Sequence, residues 1–317
     1  MSEERTPRRM RVIGKESVAA GVVAVTLADP DGEALPVWEP GAHIDLVLGD
    51  MTRQYSLCGD PSDRRSLTVA VLREPDGRGG SAFVHEKLHT GDLISIAGPR
   101  NAFRLTDAES YLFVAGGIGI TPLLPMLRRV DAAQRPWRLL YGGRTRASMA
   151  FADELASTHP GRVALCPQDE CGLLDLGAAL DGLATATEVY CCGPEPLLQA
   201  IESACETRDH VNLHVERFAP GPIGSDTPAH SFEVELARTG EVIEVGAGES
   251  VLDAIARRGV NVEFSCREGT CGTCEVAVLE GRPDHRDSVL TADEQAAGDA
   301  MMICVSRSHT PRLVLDL

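Results

Sequence analysis

The chain has no run of about 18 apolar residues, so no segment is long enough to cross a membrane as a helix. Its first residues, MSEERTPRRM, lack the apolar core of a signal peptide, and their two glutamates argue against a mitochondrial presequence. The expected location is the cytoplasm. Positive charge is scarce: 30 Lys and Arg against 47 Asp and Glu give a net charge of −17 with histidines neutral. Such a surface repels a phosphate backbone, which sets nucleic-acid binding aside. It favours solubility, or steers a basic protein partner. The nine histidines form no HExxH-like set, and there is no internal repeat and no true GxGxxG fingerprint.

What is present is enough for ordinary globular cores. Hydrophobic residues make up 43% of 317, a length that predicts two or three domains. Residues 1–104 read as short alternating strands, RVIGKESV, VVAVTLAD, HIDLVLG, RQYSLCG, SLTVAVLRE and DLISIAGP, split by Gly, Pro and Asp clusters. That pattern predicts an antiparallel β-barrel. A helix is expected from Ser81, with Ser81 as N-cap and Gly91 beyond its end. Residues 105–222 change period. Apolar runs such as YLFVAGG, WRLLYGG and EVYCCG alternate with helical stretches, which predicts an α/β domain around a parallel sheet. The helix TPLLPMLRRV is expected to start with Thr121 as N-cap and Pro122 at its first position. FAPGPIGSDTPAH (218–230) reads as a linker. Residues 231–317 open on a hairpin-like pair, FEVELARTGEVIEV, continue in a helix capped by Ser250, and end in the strand RLVLDL.

The chain holds ten cysteines and no secretory signal, so a disulfide framework is not expected. Three of them lie in CREGTCGTC (266–274) with the spacing C-x4-C-x2-C, and Cys304 follows after residues 275–303. Cys266, Cys271, Cys274 and Cys304 thus show the plant-type [2Fe–2S] ligand pattern. Gly269 and Gly272 permit backbone angles closed to other residues, and free amides there can point at cluster sulfurs. Zinc, the rival, prefers paired C-x2–4-C motifs. With FS before Cys266 and MMICVSR around Cys304, the segment resembles a plant-type ferredoxin, a β-grasp fold that carries one electron at a time.

Upstream, RQYSL (53–57) sets a cation, a ring and a hydroxyl on one strand. Gly79, Gly80 and Ser81 precede a helix, where bare amides suit a phosphate. AGGIGITP (115–122) and CCGPEPLL (191–198) are two glycine-bearing strand–helix turns that converge at one end of a parallel sheet. CPQDEC (166–171) repeats the x4 spacing without a second pair, and reads as ordinary thiols. RQYSL, GRGGS, AGPRNAF, GGIGITP, CCGPEPLL and the cluster loop occur in this order, so the chain resembles the phthalate dioxygenase reductase family of the ferredoxin-NADP reductase superfamily over almost its whole length.

The resemblance implies a multidomain protein: a flavin-binding β-barrel (1–104), an NAD(P)H-binding α/β domain (105–222) and a β-grasp ferredoxin (231–317). It places Arg53, Gln54, Tyr55 and Ser56 at the flavin, and Gly79, Gly80 and Ser81 at its phosphate. Gly116, Gly117, Gly119 and Thr121 would border the dinucleotide. Cys192, Gly193 and Pro194 would lie near the nicotinamide, and Phe218 over the flavin. Ser56 and Cys192 would stand at the reacting atoms. FMN is favoured over FAD from the domain order, and NADH over NADPH. Arg144 and Arg146, with no acid ending the strand before them, leave NADPH open. The implied role is an electron-transfer reductase, a monomer, serving a terminal oxygenase, with a P450 as alternative acceptor. A redox sensor that binds flavin and cluster without turnover is the alternative from another class.

Overall fold

The computed structural model describes residues 7–317 apart from 76, 182, 184–186, 207, 209–210 and 220–229, and leaves out the side chain of residue 292. MSEERT and most of the expected linker therefore lie outside the described residues. By contact the chain forms two compact units, one ending at Glu216 and one comprising Arg217–Leu317.

The first unit begins with six antiparallel strands: β1 (Arg8–Ala19), β2 (Val22–Ala28), β3 (His43–Leu48), β4 (Met51–Ser56), β5 (Ser66–Leu72) and, after helix α1 (Gly80–Glu86), β6 (Leu93–Arg100). Their order is β4-β3-β6-β1-β2-β5, and a bridge between Leu57 and Val69 joins the two end strands, which closes the sheet into a barrel. Alternate residues fill it, among them Val25, Leu27, Ile44, Leu46, Leu57, Val69 and Val71.

The chain then winds a five-stranded parallel sheet. Its elements are β7 (Ser110–Gly116), α2 (Ile120–Ala132), β8 (Trp137–Gly143), α3 (Ala152–Thr158), β9 (Val163–Pro167), α4 (Gln168–Cys171), α5 (Leu176–Leu180), β10 (Thr187–Cys192), α6 (Glu195–Cys205) and β11 (Val211–Glu216). The order β11-β10-β7-β8-β9 reverses between β7 and β10, so the crevice for a ligand opens beyond their carboxyl ends. Barrel and sheet share a core: Val22, Cys58, Ala70 and Phe103 pack in one cluster with Phe113, Ile120, Leu123 and Tyr190. Arg128 donates to the Cys58 carbonyl across that seam at 3.2 Å.

Two expected caps are corrected. The N-cap of α1 is Gly79 at φ 85, and Ser81 sits inside the helix, its hydroxyl accepting from the Glu74 amide at 3.1 Å. A left-handed glycine starts the turn two residues early. Thr121 does not cap α2 either. A 3-10 turn, Gly117–Gly119, precedes the helix, Gly119 is the N-cap, and the Thr121 hydroxyl donates to Ile118 at 2.9 Å.

The second unit holds β12 (Phe232–Leu236), β13 (Glu241–Val245), α7 (Val251–Ala256), β14 (Glu275–Glu280), β15 (Pro283–Asp284), α8 (Ala292–Ala297), β16 (Ala300–Met302), β17 (Arg307–Ser308) and β18 (Arg312–Leu315). The sheet order is β13-β12-β18-β14-β16, with β12 and β18 parallel at its centre and α7 packed on β13. This is the β-grasp arrangement. Ser250 caps α7 as expected, accepting from the Asp253 amide at 3.0 Å. Among the described residues no helix is long and apolar enough to cross a membrane.

Candidate functional site

In the second unit the four predicted ligand cysteines come together. The thiol of Cys266 is in hydrogen-bonding contact with those of Cys271 and Cys304, and Cys304 with Cys274. Thiol donation from its neighbours, Cys271 first, holds Cys266 well below the usual thiol range, and donation from Cys304 lowers Cys274. Backbone amides add to this: those of Glu268 and Thr270 lie 3.3 and 3.5 Å from Cys266 Sγ, and that of Thr273 lies 3.4 Å from Cys271 Sγ. Amides aimed at sulfur are what anionic ligand sulfurs require. Among the described residues no three His, Cys, Asp or Glu are arranged to hold a single metal ion. The contacts run Cys271–Cys266–Cys304–Cys274 and bring all four predicted ligands into one cluster, with the C-x4-C-x2-C spacing and distant fourth cysteine of a plant-type two-iron site.

Gly269 explains how the distant ligand arrives. At φ +69, a Cβ there would lie 2.6 Å from Val305 Cγ2 and 3.0 Å from Asp287 Cα. Its carbonyl accepts from the Ser288 amide at 2.8 Å. The absent side chain lets the loop close on the segment that carries Cys304. Gly272, at φ +72, needs only its backbone angle, since Val289 is 3.6 Å away. Arg267 also takes a left-handed φ of 58, held by Asp253 at 2.9 Å and by the Phe264 ring at 4.4 Å.

In the first unit Ser56 ends β4 and Cys192 ends β10, and both are buried. What joins them is Glu216, at the end of β11, opposite Cys192 in parallel register. Burial pushes the Glu216 carboxyl up to about 8, against a lowering hydrogen bond from Ser56. Its Oε2 is buried with no hydrogen-bond partner. Burial, then the nearby Glu216, raises the Cys192 thiol well above its ordinary value. Sequence reading missed Glu216. The signal was an acid closing VNLHVE, a strand that was itself unread.

The other expected flavin residues divide. Arg53 lies flat over Gly80, where a Cβ would come within 2.4 Å of Arg53 Cγ, and it donates to the Arg78 carbonyl at 2.9 Å. Arg53, Gly79 and Gly80 are thus together, and a side chain at position 80 would displace Arg53. Burial raises Tyr55 to about 12 on the barrel wall. Gln54 turns the other way, to Asp45 at 3.2 Å, and Asp45 also receives Arg100 at 2.6 Å.

The glycine turns converge, but not as bare walls for a phosphate. A Cβ on Gly116 would meet Pro194 Cδ at 2.6 Å, one on Gly119 the Cys192 carbonyl at 2.2 Å, and one on Gly193 Gly116 Cα at 3.0 Å. These three glycines let the two turns pack on each other. Gly117, at φ +55, is the open one, with nothing within 4 Å of the point a Cβ would occupy. Tyr141 fixes it by donating to its carbonyl at 3.1 Å. Arg146 is engaged by Asp153 at 2.6 Å. Phe218 is 44% exposed and belongs to the second unit.

A parallel sheet with a switch-point crevice, joined to a barrel and followed by a four-cysteine β-grasp domain, defines an oxidoreductase that pairs a nucleotide domain with a ferredoxin. Family models agree: residues 113–172 match an oxidoreductase NAD-binding domain, and residues 234–309 a 2Fe-2S iron-sulfur cluster binding domain. The chain is 44% identical over 316 residues to phenoxybenzoate dioxygenase subunit beta of Ectopseudomonas oleovorans, covering 98% of each. It matches the solved structure of phthalate dioxygenase reductase at 35% identity and TM-score 0.71, covering 98% of each chain. The chain belongs to the phthalate dioxygenase reductase family. It also matches an intact type IV self-sufficient cytochrome P450 monooxygenase at 44% identity and TM-score 0.90, covering 98% of this chain but 41% of that one.

Proposed function

We propose that the protein is the NADH-dependent reductase component of a Rieske-type oxygenase, a cytoplasmic monomer whose residues 1–104 hold FMN, 105–222 the nucleotide and 231–317 the cluster. The observation that carries this reading is the meeting of Ser56, Cys192 and Glu216 where barrel and parallel sheet join. A flavin held at the barrel would supply two-electron acceptance with one-electron release, and a cluster held by Cys266, Cys271, Cys274 and Cys304 would supply single-electron transfer.

The chain's part is binding and positioning. Arg53 and the amides of Gly79 and Gly80 hold the flavin phosphate, while Tyr55 and Ser56 line the ring. Open space at Gly117 receives the dinucleotide, and Gly193 and Pro194 shape the nicotinamide end. Because Glu216 titrates near 8, it is protonated at neutral pH and gives the reacting pocket a neutral hydroxyl donor instead of a charge. Cys192 likewise stays a neutral thiol. No further acid or base is needed for transfer between cofactors.

The test is NADH-driven reduction of cytochrome c by wild type and Cys266→Ser. Activity that collapses in the variant, while NADH-ferricyanide activity remains, supports a relay through the cluster. Equal cytochrome c activity in both contradicts it. A P450 acceptor is the second reading, favoured by the likeness to the self-sufficient P450. Faster oxidation of NADH on adding a P450, and not on adding a Rieske oxygenase, would select it.

A further inference from the structure

CPQDEC (166–171) has no part in the relay. Cys166 lies near the end of β9 and Cys171 closes α4, and their thiols are in hydrogen-bonding contact. Cys171 is exposed and Cys166 half-buried. The segment wraps the carboxyl end of β8. Cys166 pairs with Gly142 and Pro167 with Gly143. The Asp169 amide donates to the Arg144 carbonyl at 3.3 Å. Leu174 seals the wrap, lying where a Cβ on Gly142 would come within 2.9 Å of Leu174 Cδ2. Gly142 is in turn the register partner of Gly116 on β7, so the thiol pair braces the turn GGRTR (142–146) beside the expected nucleotide crevice.

We propose that Cys166 and Cys171 are a thiol pair that hydrogen peroxide oxidises to a disulfide, and that this bond resets the GGRTR turn and with it the grip on the nucleotide. The second half rests on the nucleotide-binding reading above. Solvent reaches Cys171 first. Its sulfur attacks peroxide, the O–O bond breaks, one oxygen stays as sulfenic acid and the other leaves as water. The Cys166 sulfur then attacks the Cys171 sulfur. The S–O bond breaks, the S–S bond forms, and the hydroxyl leaves as water with the Cys166 proton. Two thiols lose two hydrogens, and one peroxide becomes two waters. Burial and Cys171 both raise Cys166, which suits a resolving thiol over an attacking one. Closing the sulfurs to about 2 Å draws α4 against β9. The Asp169–Arg144 hydrogen bond carries that movement to the turn.

The test treats the holoenzyme with hydrogen peroxide, alkylates the remaining thiols and maps the peptides by mass. Nucleotide KM is measured in parallel, and cluster absorbance is followed throughout. Wild type should yield one peptide joined at Cys166 and Cys171, reversed by dithiothreitol. It should also show a several-fold change in KM for NADH or NADPH that oxidised Cys171→Ser and Cys166→Ser lack. Both thiols still alkylatable, or Cys171 driven to sulfinic acid beside a free Cys166, would overturn the pair. A disulfide that leaves both KM values unchanged would overturn its link to the nucleotide. The peptide map reads out whether or not NADH is turned over, so failure of the nucleotide reading is seen separately.

Discussion

CREGTC and CPQDEC each hold two cysteines with four residues between them, and the chain folds them to different ends. The first is opened by the left-handed Gly269, so its amides turn toward sulfur and its backbone meets the segment bearing Cys304. The second has no internal glycine and closes as one helical turn, its two thiols in contact with each other. Spacing alone therefore does not make a metal site. A second pair delivered from elsewhere, and donors for the sulfur charge, distinguish the two.

The largest effect should come from breaking one segment and not the other. Cys304→Ser should lose the broad cluster absorption and cut cytochrome c reduction by more than about 100-fold, beyond the range of changes one shell out from a metal. Cys166→Ser should keep both under reducing conditions. Steady-state rates and visible spectra decide it.

A third setting, the buried Cys192 beside Glu216, sharpens the contrast, because there the environment suppresses charge. Native Glu216 keeps its proton until about pH 8, whereas the unfolded chain releases it near the ordinary value of 4.5. The folded state binds more protons between those values, so this contribution to stability is greatest below 4.5 and falls as pH rises to 8. The slope reaches at most about 1.4 kcal/mol per pH unit. Glu216→Gln should flatten that stretch of the stability curve in denaturant titrations.

Next come the glycines of the two segments. Gly172 follows Cys171 at φ 77, ψ −152, a region essentially reserved for glycine, with nothing within 4 Å, so Gly172→Ala should cost only that backbone strain, about 1–3 kcal/mol. Gly269→Ala adds a clash with Val305 and Asp287, and should cost more and speed cluster loss. Thermal unfolding and the rate of visible bleaching measure both. Smallest of all, Cys171→Ser on the exposed turn should shift stability by no more than about 0.5 kcal/mol.

The same contrast shows what could be read from the residues. The cluster site was legible because most of its signal is local: three cysteines at C-x4-C-x2-C spacing and two glycines stand in one short stretch, with Cys304 the one ligand supplied from further along the chain. The barrel strands were legible from alternation and the central parallel strands from apolar runs. The caps at Ser81 and Thr121 were misread, because Gly79 and the Gly117–Gly119 turn begin their helices earlier than a hydroxyl rule expects. β11 was missed because VNLHVE alternates like an edge strand, where this domain's other strands read as continuous apolar runs, and α4 and α5 because they are too short to show a period. Glu216 was illegible for a further reason. Its burial exists only where β4 and β11, far apart in sequence, come together, and no local pattern records that.

The central claim is that nicotinamide, flavin and cluster are wired in one chain. Anaerobic titration of the purified protein with NADH, followed by visible absorbance, tests it most directly. Bleaching of both the flavin band near ~450 nm and the broad cluster absorption beyond ~500 nm, taking more NADH than the flavin alone can accept, is the predicted result. Flavin and cluster colour that neither NADH nor NADPH bleaches would contradict it, and would leave a protein that holds its redox groups without turning them over.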